Sequence, residues 1–119
     1  MNIQIKTSVG DFLDRWSILL IKEQKGLDVE KELSDYTKNL KPDFQDWGYY
    51  LRVLEAINGE LWELEDVKRK GVERYSRHES DVAFLITQLN DLRHETKKRI
   101  DIFFNLSLIH ISEPTRLGA

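Results

Sequence analysis

Residues 8–26 read SVGDFLDRWSILLIKEQKG, and this stretch decides the fold. Its apolar residues recur every three or four positions, the spacing that places them on one face of an α-helix. Ser8 and Asp11 suit the first turn as a capping pair, and Gly26 suits the end of the last turn. The apolar stripe comprises Val9, Phe12, Leu13, Trp16, Leu19 and Leu20. Two isoleucines widen it, so the sequence predicts a central helix with a broad buried face.

Weaker signals lie on either side of this helix. Ile3 and Ile5 alternate with polar neighbours, which favours a short extended arm. Beyond the helix, Asp28 can cap a short second helix. Pro42 ends that helix, because proline cannot continue one. The second helix is therefore expected to be a minor element.

Two longer segments with helical spacing follow. One begins near Asp43 or Asp46 and ends at Gly71, and the other begins at a capping box formed by Ser76 and Glu79. A short charged linker joins them, so they should form an antiparallel hairpin. The sequence thus predicts an all-α fold, a small helical bundle built on a long antiparallel helix hairpin plus an N-terminal helix, with a short extended N-terminal arm.

The C-terminal stretch LSLIHISEPTR, residues 106–116, resembles the translation of a transposon-based sequencing adapter. This resemblance implies a metagenomic origin and a reading frame that leaves its natural end near Asn105. We therefore expect residues 1–105 to form a single helical domain. Residues 106–119 are expected to be an adapter-derived, non-native tail, to which no function is assigned. The alternative is a genuine C-terminal tail.

Composition excludes several classes of protein. The 119 residues amount to one domain with a net charge of −3, which disfavours general nucleic-acid binding. The lack of cysteine excludes disulfide scaffolds and thiolate metal sites. No apolar run approaches the ~20 residues of a membrane span, and the N-terminus lacks the apolar core of a signal peptide. We expect a cytoplasmic protein (in the host cytoplasm if viral) that binds neither nucleic acid nor membrane.

Signatures of catalysis are sparse. The sequence contains no phosphate-binding glycine loop, no zinc-protease helix motif and no serine-hydrolase elbow. Outside the tail the histidines are His78 and His94, which we interpret as surface residues. Glu65 and Asp66 are able to bind a hard cation, but salt bridges to nearby Lys or Arg are the commoner arrangement. We therefore expect no enzymatic activity, no metal site and no cofactor.

Polar residues run beside the apolar stripes of the three main helices. At helical spacing they are Arg15 and Lys22 on the first, Asn58, Trp62, Glu65 and Arg69 on the third, and Asn90, Arg93 and Lys97 on the fourth. One interpretation is a cleft for an aromatic anion, in which indole stacks on a ring, guanidinium groups bind phosphate or carboxylate, and an amide recognises an edge. The other is a hydrogen-bonded layer that fixes the register of the helices.

Three blocks of sequence carry most of these polar residues. They are residues 8–22, SVGDFLDRWSILLIK, residues 58–69, NGELWELEDVKR, and residues 89–93, LNDLR, followed by Lys97 and Lys98. Together they resemble a small domain family of unknown function that is found in bacteriophages and near bacterial surface-sugar gene clusters. The chain departs from the family at Trp16, where a smaller apolar residue is usual. The resemblance implies that Asp14 and Asp66 join the polar residues in one constellation.

These observations predict a binding protein. We expect a non-enzymatic, phage-type protein that sequesters a small anionic, nucleotide-derived signalling ligand and so acts as a counter-defence sponge. The expected ligand-binding residues are Arg15, Lys22, Asn58, Trp62, Glu65, Asp66, Arg69, Asn90 and Arg93. The alternative is a helical protein–protein interaction module or an accessory protein of surface-sugar synthesis.

A homo-oligomer, most simply a dimer, is also expected. Apolar residues such as Ile18, Ile21, Trp47 and Phe104 exceed what one narrow stripe per helix buries. A domain of this size has a limited core, so surplus apolar surface favours association.

Overall fold

A computed structural model describes residues 2–38, 47–71, 77–104 and 108–114. In these ranges the helices are α1 (Val9–Gln24), α2 (Glu30–Thr37), α3 (Trp47–Arg69) and α4 (Arg77–Phe103), and the strands are β1 (Asn2–Ser8) and β2 (Leu108–Pro114). The four helices pack against one another, which confirms the predicted all-α fold. The predicted boundary residues Pro42, Asp43, Asp46, Ser76 and Asn105 lie outside the described ranges. None of the described helices has the length and apolarity needed to cross a bilayer.

Helix α1 is the central element. The Ser8 side chain accepts a hydrogen bond from the backbone N–H of Asp11 at 3.1 Å, which is the predicted cap. Beyond the other end, Gly26 has a φ of +86°, a conformation that glycine adopts without strain. The buried residues of α1 include four of the six predicted stripe residues and two polar residues: Val9, Gly10, Phe12, Leu13, Asp14, Trp16, Ser17 and Ile21. The other two stripe residues, Leu19 and Leu20, are partly buried and pack against the core.

Helix α2 is short, as expected, but begins differently from the prediction. Its N-cap is Val29 rather than Asp28, and Val29 makes no side-chain capping bond. Tyr36 is the buried residue of α2 and belongs to the main core. Tertiary packing therefore holds this helix, because eight residues are too few to be stable alone.

The core is largely aromatic and lies between α1, α2 and the adjoining ends of α3 and α4. Phe12 stacks on Tyr36 with ring centroids 5.1 Å apart, and its ring centroid lies 5.3 Å from that of Trp47. Leu54 and Ile100 are fully buried in the same cluster. Since burial of one large apolar side chain contributes ~1.5–3 kcal/mol, this cluster is the main source of stability.

Helices α3 and α4 form the predicted antiparallel hairpin. The start of α3 lies beside the end of α4, where the ring centroids of Tyr50 and Phe103 are 5.6 Å apart and those of Trp47 and Phe104 are 6.5 Å apart. The burial of three apolar residues removes part of the basis for the predicted dimer, which itself stays a prediction. Trp47, Phe104 and Ile21 are buried within a single chain, so they give no support to the predicted dimer.

Strands β1 and β2 pair antiparallel as a two-stranded ribbon beside the helices. In this pairing Asn2 lies opposite Pro114, and Ser8 lies opposite Leu108. The sequence predicts the arm but not its partner, because the tail is excluded from the expected fold. An open strand edge offers backbone N–H and C=O groups to any extended segment nearby. The pairing is therefore compatible with either origin of the tail, and the domain boundary stays a prediction.

Deletion of residues 106–119 tests that boundary. We expect the truncated chain to keep its helical circular dichroism and to lose less than about 2 kcal/mol of unfolding free energy, because a two-stranded ribbon is only marginally stable by itself. Denaturant unfolding of the full and truncated chains measures the difference. A loss of helicity, or of several kcal/mol, would show that the tail is part of the folded domain.

Candidate functional site

A buried carboxylate lies where the three longer helices meet. Asp14 of α1 is only 3% exposed. Arg93 of α4 binds it through two hydrogen bonds, from Nε to Oδ1 at 2.8 Å and from Nη2 to Oδ2 at 2.6 Å. A paired arginine–carboxylate contact of this kind is strong and directional. It therefore fixes the rotation of α4 relative to α1.

Asn58 connects the third helix to the same carboxylate. Its Nδ2 donates to Asp14 Oδ1 at 2.9 Å and to Ser17 Oγ at 2.8 Å. Ser17 Oγ in turn donates to the backbone carbonyl of Asp14 at 2.7 Å. Asp14, Ser17, Asn58 and Arg93, which we call the buried network, thus link α1, α3 and α4.

Lys97 lies at the edge of the buried network, one turn beyond Arg93 on α4. Its Nζ is 2.8 Å from Asp11 Oδ1 and 3.7 Å from Asp14 Oδ2. Two cations of α4 therefore face two carboxylates in the first turns of α1. This arrangement also suits the helix dipole, which favours negative side chains near the start of α1.

The network keeps Asp14 ionised although it is buried. Burial acts to raise the pKa of Asp14, but the hydrogen bonds from Arg93 and Asn58, together with the charges of Arg93 and Lys97, hold it below its ordinary value of 3.8. The hydrogen bond to Asp14 raises the pKa of Arg93, against the smaller opposing effect of burial. Both groups are therefore charged at neutral pH.

An open cleft of about 350 Å³ adjoins the buried network. Its apolar wall comes from α1 and α3, and its polar wall from α3 and α4. The lining residues are Ile18, Ile21, Asn58, Leu61, Trp62, Glu65, Arg69, Asn90 and Arg93. Asn58 and Arg93 belong to both the network and the cleft. We call the space bounded by these residues the cleft.

Most of the predicted site residues border this cleft. They are Asn58, Trp62, Glu65 and Arg69 of α3, and Asn90 and Arg93 of α4. Arg15 and Lys22 of α1 do not line it: Arg15 is exposed and Lys22 is half-buried. They lie further round α1 than Ile18, which together with Ile21 forms the wall contributed by that helix.

Asp66 is also absent from the cleft lining. It forms an ion pair with Lys70 at 2.9 Å and a longer one with Arg69 at 3.6 Å. The hydrogen bond from Lys70 is the main reason why the pKa of Asp66 lies below its ordinary value, against an opposing effect of desolvation. Asp66 thus forms ion pairs with neighbouring cations of its own helix, as is usual for a half-buried carboxylate on a helix surface.

Sequence analysis does not identify every residue of this site. Ser17, Ile18 and Ile21 are not among the predicted site residues, although Ser17 belongs to the network and the isoleucines line the cleft. Ser17 follows Asp14 by three positions, so a polar pair on the buried face of α1 is the signal that identifies it. The isoleucines carry no such signal, because their spacing equally suits a core.

Within the ranges that the structure describes, no three His, Cys, Asp or Glu residues are grouped closely enough to hold a metal ion. Comparison of the chain with family models, with curated proteins and with solved structures gives no match. The resemblance of the three sequence blocks to a phage-associated family therefore stays a prediction, and the case for a function has to come from the geometry of the cleft.

Proposed function

We propose that the cleft binds a small anionic, nucleotide-like ligand and that the protein sequesters this ligand without changing it. The observation that carries the proposal is the position of Arg93, which is anchored on a buried carboxylate and also borders the cleft. Its contacts with Asp14 use two of the five N–H bonds of a guanidinium. Three N–H bonds remain with which a ligand anion can be bound.

Anchoring matters because it lowers the entropic cost of binding. An exposed arginine loses much side-chain freedom when it grips a ligand. The Arg93 side chain is only 26% exposed and already makes two hydrogen bonds to Asp14. Most of its conformational entropy is therefore lost on folding and not on ligand binding. A second guanidinium, that of Arg69, borders the same cleft. Two such groups suit phosphate or carboxylate oxygens, which accept charge-assisted hydrogen bonds.

The remaining lining residues suit the non-ionic part of a nucleotide. The indole of Trp62 offers a face on which a base can stack, and the side-chain amide of Asn90 can recognise a base edge. Glu65 can accept hydrogen bonds from ribose hydroxyls, and Ile18 and Ile21 provide an apolar floor. A volume of about 350 Å³ is at the small end of ligand pockets. This size favours one nucleotide unit over a larger molecule.

Sequestration without turnover is the simplest activity for this set of side chains. The guanidinium, amide, indole and aliphatic groups of the cleft bind and orient a ligand. Glu65 adds a carboxylate, but the lining residues include no hydroxyl or thiol that it could activate as a nucleophile. The phage-associated family that the sequence resembles gives this binding a biological setting, in which a viral protein removes a signalling nucleotide of the host.

Calorimetric titration with a panel of mononucleotides, cyclic nucleotides and ADP-ribose tests the proposal. We expect at least one member to bind and to be recovered unchanged. Trp62→Ala and Arg69→Ala should each weaken binding about tenfold or more, through loss of stacking and of a charge-assisted contact. Phe84→Ala and Arg52→Ala remove an exposed aromatic ring and an exposed guanidinium outside the cleft, and are the matched controls. No binding by any member of the panel would overturn the proposal.

A protein-docking role is the second candidate function, and one observation favours it. Several large apolar side chains of α3 and α4 are exposed, among them Leu92, Phe103 and Tyr49. These residues lie away from the cleft, so docking and ligand binding do not exclude each other. The proposal of a role in surface-sugar synthesis rests on the family resemblance alone.

A further inference from the structure

Charges of both signs border the cleft. Its lining includes two cations, Arg69 and Arg93, and one carboxylate, Glu65. Both cations also form ion pairs with carboxylates that do not line the cleft: Arg93 with Asp14, and Arg69 with Asp66. The charge that acts on a ligand is therefore set by the lining and by the ion pairs behind it.

The ion pairs cancel most of the positive charge of the lining. Asp66 also contacts Lys70, and Lys97 lies beside Asp14 and Asp11. The lining and these ion pairs together contain four cations, Arg69, Lys70, Arg93 and Lys97, and four carboxylates, Asp11, Asp14, Glu65 and Asp66. A space of about 350 Å³ is only about 9 Å across, and salt screens charges over about 8–10 Å. The lining charges therefore act together on a bound ligand, and their excess is one positive charge.

The orientation of Arg93 restricts the ligand in a second way. Its Nε and Nη2 donate to Asp14. The remaining N–H bonds are on Nη1 and Nη2, at the end of the guanidinium, where two of them point in parallel. Such a pair binds two oxygens of one group at once. The two non-bridging oxygens of a phosphodiester fit this pair, and they share a single negative charge.

We propose that the ligand of the cleft is a nucleoside phosphodiester with one negative charge. This inference rests on the proposed function and narrows it. One negative charge balances the excess of one cation in the lining, whereas a second would lack a cation and would be repelled by Glu65. A phosphate monoester carries about 1.5 to 2 negative charges at pH 7. Diphosphates such as ADP-ribose carry two, so they should bind more weakly.

Glu65 is the residue that determines this preference. It is exposed, and no cation in the described part of the chain forms an ion pair with it. Its carboxylate can therefore accept hydrogen bonds from uncharged ribose hydroxyls and also repel a second phosphate charge. A diester closed within one nucleotide suits the volume of about 350 Å³ better than a diester that joins two nucleosides.

Calorimetric titration with matched phosphates tests the preference for a single charge. The probes are the 5′-monophosphates of adenosine, guanosine, cytidine and uridine, and the monomethyl ester of each. An ester differs from its parent by one methyl group and by the loss of one negative charge. We expect the ester to bind at least about fivefold more tightly than the monophosphate of the same base. The 3′,5′-cyclic monophosphates should bind at least as tightly as the esters, and dinucleoside monophosphates more weakly.

Glu65→Gln separates the effect of charge from that of shape. Glutamine keeps the size of the side chain and its carbonyl acceptor but removes the charge. The affinities of each monophosphate and its ester should then come to within about twofold of each other. Glu60→Gln is the matched control, because Glu60 is an exposed carboxylate of the same helix outside the lining. It should keep the preference of the wild type, and both variants should keep the circular dichroism of the wild type.

The outcomes distinguish this inference from the proposed function. A monophosphate that binds as tightly as its methyl ester would overturn the single-charge ligand and leave nucleotide binding in place. So would a preference that Glu65→Gln does not reduce, or an equal loss of preference in Glu60→Gln. If no probe binds to the wild type, the proposed function itself is wrong, and this inference is wrong with it.

Discussion

Arg93→Ala should destabilise the protein by about 3 kcal/mol, because removing one partner of a buried ion pair leaves the other charge uncompensated. The charge left without its partner is the carboxylate of Asp14, which is 3% exposed. The expected loss is at the lower end of the range for such pairs because two donors remain. Asn58 still donates to the carboxylate, and Lys97 Nζ lies 3.7 Å away and can move closer. Denaturant unfolding at neutral pH measures the change.

Arg52→Ala is the control for this variant. Arg52 is an exposed arginine of α3, and its loss should change the unfolding free energy by less than about 0.5 kcal/mol, as is usual for surface positions. If both variants lose a similar amount of unfolding free energy, the contact between Arg93 and Asp14 contributes no more to stability than an exposed arginine does. The pocket interpretation of the polar stripes implies that Arg93 can be removed without harm to the fold, whereas the burial of Asp14 against it leads us to expect a loss of stability.

The same prediction has a pH signature. In the wild type the folded-state pKa of Asp14 lies below its ordinary value of 3.8. Its contribution to stability is therefore present above that value and is lost as the pH falls through the folded-state pKa. In Arg93→Ala fewer hydrogen-bond donors offset the effect of burial, so the pKa of Asp14 should rise. Protonation of Asp14 should then stabilise the folded variant. The difference between wild type and variant should thus shrink below about pH 4. A difference that stays constant with pH would contradict this explanation.

The two interpretations of the polar stripes apply to overlapping sets of residues, since Asn58 and Arg93 belong to both the buried network and the cleft. Helical spacing places Asn58, Arg93 and Trp62 on inward faces of their helices, and the structure agrees with that. Spacing does not say how α3 and α4 are rotated against α1. The contact between Asp14 and Arg93 sets that rotation, and it joins residues 79 positions apart in the chain. The buried network therefore resembles the predicted register layer, while the cleft has the composition of the predicted pocket.

Prediction from the sequence works best where a single helix determines the outcome. The buried face of α1 and its Ser8 cap follow from local spacing and local hydrogen bonding. It works less well where contacts with a second helix or strand determine which residues line the cleft or pair with each other. Arg15 and Lys22 satisfy the spacing of a polar stripe, yet neither lines the cleft, because α1 presents Ile18 and Ile21 there. The pairing of β1 with β2 likewise depends on a long-range contact that no local pattern encodes.

Gly10 shows a further requirement of this helix packing. A Cβ atom at Gly10 would lie 2.5 Å from the backbone oxygen of Lys97 and 2.9 Å from Asp101 Oδ1. The backbone N–H of Gly10 also donates to Asp101 Oδ1 at 2.7 Å. The start of α1 can therefore approach α4 this closely only where residue 10 has no side chain. The separation in turn allows Lys97 to reach Asp11 at 2.8 Å.

Gly10→Ala should therefore destabilise the protein by about 2–3 kcal/mol, in the upper part of the usual range for overpacking, because the nearest atom belongs to a backbone that cannot turn aside. Gly59→Ala makes the identical change inside α3, where a Cβ atom would meet nothing within 4 Å. That variant should stabilise the protein by up to about 1 kcal/mol, since alanine is the better helix former. The two substitutions thus have opposite expected signs, and thermal or denaturant unfolding of both variants measures them. Equal effects would show that α1 and α4 do not approach each other closely at Gly10, and the contact between Asp14 and Arg93 would then need another explanation for its geometry.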